Sequence, residues 1–108
     1  MIKIKDGYVN EDLVEYATIT GSYLVANMMN GEKVSSNDAT LAIEKLLSLP
    51  HFIYQNTVFF IKHVSSMKCS DTMATVRMTS GYLATIRGQE LIDEMKDAFT
   101  KPEGKKKK

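Results

Sequence analysis

The sequence predicts a mainly α fold, a bundle of four to five helices with a short N-terminal β-ribbon. Three observations predict it. Apolar residues recur at three- and four-residue spacing along most of the chain, side chains with N-cap chemistry stand just before these runs, and 108 residues with 44% hydrophobic content can build one modest core. The alternative is an α+β fold with a hairpin at about residues 72–87. Residues 1–100 are expected to form a single helical domain and residues 101–108 a disordered Lys-rich tail.

The ribbon comes first. Residues 2–9 alternate apolar and polar around Asp6-Gly7, a dipeptide suited to a tight hairpin turn. Asn10 then caps a first helix, with Glu11 and Asp12 at its positive end. Leu13, Ala17, Gly21, Leu24 and Met28 form its apolar stripe, and Asn30-Gly31 closes it. Gly21 weakens such a helix and suggests that another backbone passes close by. Ser35 to Asp38 offer caps for a second helix over Ala39 to Leu49, and Pro50 turns the chain.

Residues 52–67 have high β-propensity, yet Ile53, Thr57, Phe60, Ile61, Val64 and Met67 share one helical face. Only Phe59 projects into the polar arc, where it is a candidate partner contact together with Tyr8. Residues 72–87 read either as a helix or as a hairpin turning at Ser80-Gly81, with the helix preferred because neither arm alternates cleanly. After Gly88 a last helix carries Leu91, Ile92, Met95, Ala98 and Phe99 on one face and stops at Lys101-Pro102. No internal repeat is visible.

Charge and composition narrow the function. The net charge is +1, but five lysines and one glutamate give the tail +4, which leaves −3 for residues 1–100. Such a body lacks the broad positive footprint of a protein that grips many phosphates. No apolar run approaches the roughly 20 residues needed to cross a bilayer, and no signal-peptide pattern follows Met1, so no membrane association and a cytoplasmic location are expected. Cys69 is the lone cysteine and cannot make an internal disulfide.

Chemistry is sparse. His51, His63, Cys69 and Asp71 are the one collection that suggests nucleophilic catalysis or a metal, but no glycine-rich turn surrounds Cys69 and the ligand set is incomplete. The acids Glu11, Asp12 and Glu15, and Glu90, Asp93, Glu94 and Asp97, fall on solvated helical faces. The expectation is therefore no enzyme and no cofactor. The chain reads as a small accessory or regulatory protein acting by protein–protein interaction with a larger partner, and as a homo-oligomer that covers surplus apolar helical surface. Its short, lysine-tailed form suggests a phage or mobile-element context. The alternative is a DNA-binding transcriptional regulator, with Arg77, Arg87 and Lys105, Lys106, Lys107 and Lys108 as candidate nucleic-acid contacts.

Overall fold

Strands, not helices, make up most of the molecule. The computed structural model describes residues 1–70 and 72–100. In chain order it has β1 (Ile2–Ile4), β2 (Gly7–Val9), β3 (Val14–Thr20), β4 (Tyr23–Met28), β5 (Lys33–Ser36), α1 (Thr40–Leu47), β6 (His51–Tyr54), β7 (Thr57–Phe60), β8 (Val64–Cys69), β9 (Met73–Met78), β10 (Leu83–Arg87) and α2 (Gln89–Thr100), with 3-10 turns at Glu11–Leu13 and Ile61–His63. The helical bundle is thus overturned, and with it the helices expected over 10–31, 52–67 and 72–87. The tail, including Lys105 to Lys108, and Asp71 lie outside the described residues.

The strands form three antiparallel sheets, in the orders β1-β2, β5-β4-β3-β7-β6 and β10-β9-β8. Local chemistry explains the change from helix to hairpin. Thr20 pairs with Tyr23 across Gly21-Ser22, and Gly21 has φ +60°. A glycine with positive φ at the first turn position, followed by a residue with negative φ, is a hairpin turn that matches strand twist. Gly21 therefore marks a turn rather than a close helix contact. At the N-terminus the ribbon is present, but its turn residues are Lys5-Asp6, since Ile4 pairs with Gly7. Residues 73–87 form a hairpin, closed by the longer turn 79–82 with Gly81 at φ +98°.

The fold contains a repeat. Adding 50 to a residue number maps β1–β5 onto β6–β10, with the same ladders: Ile2↔Val9 becomes Phe52↔Phe59, and Leu24↔Ser36 becomes Ala74↔Ile86. Even the irregularities repeat, because the register shift at Val14/Tyr16 recurs at Val64/Ser66. The Gly31 N–H donates to the Met28 carbonyl at 2.9 Å, as Gly81 does to Met78. Between residues 1–37 and 51–87 only Val14/Val64, Met28/Met78 and Gly31/Gly81 are identical. The repeat lives in burial pattern and turn geometry, so the letters hide it.

Two cores result. In the first, Ala17, Leu24, Ala26, Val58 and Phe60 of the central sheet pack with Ile2, Ile4 and Val9 of the ribbon and with Ala42, Ile43 and Leu46 of α1. In the second, Phe52 and Phe59 pack against Ala74, Val76, Met78, Ala84 and Ile86 of the β8–β10 sheet and against Ile92 and Met95 of α2. Strand β7 belongs to both, sending Val58 and Phe60 to one side and Phe59 to the other. Most of the apolar side chains whose helical spacing had suggested a homo-oligomer lie in these two cores, while Leu13, Leu41, Ile53 and Leu83 stay exposed at separate places along the chain.

Candidate nucleic-acid interface

The alternation of strands decides which side chains face outward on the β8–β10 sheet. Met67, Ala74, Val76, Ala84 and Ile86 point into the second core. Their neighbours in sequence must then point away. Lys68, Thr75 and Thr85 form one row across the three strands; Ser66, Arg77 and Leu83 form the next; Met73 and Arg87 share a row on the other side. Arg77 and Arg87, both expected from the sequence as nucleic-acid contacts, stand on this one face and both are exposed. Lys68, which sequence reasoning did not single out, joins them.

This outer face holds three cations and no carboxylate. Lys68, Arg77 and Arg87 take part in none of the ion pairs formed among the described residues, which involve the N-terminus with Glu11, Lys5 with Asp38 and Lys62 with Asp12. Strand spacing puts the Arg77 and Arg87 backbones about 14 Å apart and Lys68 about 8 Å from Arg77. Ser66, Thr75 and Thr85 add hydroxyls between the charges. Such a surface can accept anionic oxygens by charge-assisted hydrogen bonds without displacing internal partners.

The sheet is held on the rest of the molecule by a buried carboxylate. Glu15, at the irregularity in β3, is 1% exposed and accepts from Thr79 Oγ1 at 2.8 Å, the Ser80 N–H at 2.7 Å and Ser80 Oγ at 2.6 Å. It was expected on a solvated helix face, and instead it fixes the β9–β10 turn. Beside it the Tyr16 and Tyr82 rings stack with centroids 4.2 Å apart, and burial pushes the Tyr16 phenol up from its ordinary value. A second tie lies at the 3-10 turns. His63, 8% exposed, donates from Nε2 to the Asp12 carbonyl at 2.7 Å, while Lys62 pairs with the Asp12 carboxylate at 2.7 Å and holds it below the usual carboxylate range.

The remaining candidates are scattered. Phe59, expected on a wet surface, is 2% exposed and stacks on Phe52 at 5.0 Å, so it is core and not a contact. Tyr8 is 61% exposed on β2, with the Lys3 ammonium 5.2 Å from its ring centroid. His51 Nδ1 lies 2.6 Å from the Leu49 carbonyl, and Cys69 is exposed at the end of β8. Among the described residues no three His, Cys, Asp or Glu side chains converge to hold a metal ion. No helix among them is long and apolar enough to cross a membrane.

No family model matches the chain, and no curated protein matches it. Among solved structures it is similar to the LytTr DNA-binding domain of a response regulator from Bacillus cereus, with a TM-score of 0.65 and 15% identity, over 92% of this chain and 94% of that one. The likeness is one of fold. It covers both repeats of this chain. It gives no support to a phage or mobile-element context, or to the homo-oligomer.

Proposed function

We propose that this chain is a DNA-binding module of a transcriptional regulator. The observation that carries the reading is the single carboxylate-free face on which β8–β10 gather Lys68, Arg77 and Arg87. Its support from outside is the shared fold with a domain described as DNA-binding. The protein–protein accessory role expected first from the sequence rested on surplus apolar surface of helices that are strands in the structure, and the DNA-binding alternative now takes its place. A DNA partner also suits the cytoplasmic location expected from the sequence.

The slightly acidic body does not oppose this. Phosphate binding depends on local rather than net charge, and separating cations onto one sheet face focuses a positive potential there. An electrophoretic shift with duplex DNA at two salt concentrations tests the reading. Retardation at about 50 mM salt that weakens by at least tenfold at about 200 mM is expected. No shift at low salt with any duplex would contradict it.

A further inference from the structure

The repeat supplies an internal control for the cationic face. In the first repeat the positions equivalent to Ser66, Lys68, Arg77, Leu83 and Arg87 are Tyr16, Thr18, Asn27, Lys33 and Asn37. The same fold therefore presents one cation there and three in the second repeat. Asn27 is 8% exposed and Tyr16 lies under Tyr82, so the first face is also partly covered. Strand structure does not require Lys68, Arg77 and Arg87, because Thr18, Asn27 and Asn37 serve at the corresponding places.

The shape of the face limits how it meets a duplex. The axes of β8 and β10 lie about 10 Å apart, two strand spacings, before any side chains are counted. A major groove about 12 Å wide admits a two-stranded ribbon. Three strands side by side with long side chains are too broad to enter it. The face also carries no aromatic ring on which a single-stranded base could stack. About 14 Å between Arg77 and Arg87 corresponds to four base-pair rises of about 3.4 Å.

We infer that the outer face of β8–β10 is a phosphate-backbone site that lies across a duplex, with Lys68, Arg77 and Arg87 each meeting a phosphate, and that the second repeat alone carries this role at these positions. This rests on the DNA-binding reading above and specifies its surface and mode. Contacts of this kind position a protein without reading base sequence.

The test replaces second-repeat cations by the residues the first repeat carries, as Lys68→Thr/Arg77→Asn/Arg87→Asn, with Arg77→Asn alone as a milder variant. A control removes the same charge from the first repeat and the helix that follows it as Lys3→Thr/Lys33→Asn/Lys45→Asn. Fluorescence anisotropy follows each full-length chain on two 20-base-pair duplexes of unrelated sequence over a salt series, after thermal melts confirm folding. The triple variant should lose at least tenfold in affinity on both duplexes, and its log K against log salt slope should shrink by about 2.7, with about 0.9 for Arg77→Asn. The control should change affinity less than threefold. Equal binding by wild type and triple variant, an equal loss in the control, or a loss confined to one duplex would overturn this inference while leaving DNA binding intact. A wild type that binds neither duplex would overturn the DNA-binding reading and the inference together.

Discussion

Glu15 sits where a carboxylate is costly unless every oxygen is satisfied. Three donors converge on it, two at Oε2 and one at Oε1, and two of them come from Ser80. The turn between β9 and β10 is thereby tied to β3, so the second-repeat sheet is oriented by one side chain of the first. Glu15→Gln keeps the shape but turns amide hydrogens toward donors. A loss of about 2 kcal/mol is expected, read as a fall in Tm of about 10 °C. A melt within 2 °C of wild type would mean that the cluster contributes little. Nothing in the sequence marked this residue, because Glu11, Asp12 and Glu15 look alike as a charged run, and only the irregularity in β3 turns Glu15 inward.

At the level of elements, β7 explains both what the molecule is and why its strands resemble helices on paper. A strand buried on one face alternates visibly, whereas one buried on both reads as a continuous apolar run. Thr57-Val58-Phe59-Phe60 is such a run, since Val58 and Phe60 enter the first core and Phe59 the second. Helical spacing then fits by accident. Similarly, Ala17, Leu24 and Met28 lie on two paired strands, and their four- and seven-residue intervals arise from folding back at Gly21. The elements that were legible are those with one dominant signal: the N-terminal ribbon, the helix ending before Pro50 and the amphipathic last helix. Of the candidate site, Arg77 and Arg87 were legible only as basic residues that could reach a nucleic acid if their segment were exposed. Lys68 was not, because its partners in the row are set by the β8–β9 register. Phe59→Ala should cost about 3–5 kcal/mol by denaturant unfolding, because it removes a ring stacked on Phe52 and opens the junction between repeats. A cost below 1 kcal/mol would show that β7 is not the shared strand described.

The whole molecule measures 43 × 31 × 25 Å and is built from two structurally equivalent units that share ladders and differ in surface charge. The first repeat has a single cation on its face, which is partly covered; the second displays three on a sheet anchored through Glu15 and Tyr16. The proposed DNA-binding surface accordingly belongs to one half of the molecule and is oriented by the other. The most direct measurement is a backbone amide NMR titration of the labelled chain with a 20-base-pair duplex at low salt. The largest shifts should fall on β8, β9 and β10 around Lys68, Thr75, Arg77, Thr85 and Arg87, with the outer face of β3–β5 scarcely changed. Shifts centred on the ribbon or on α1, or no shifts at all, would contradict the account.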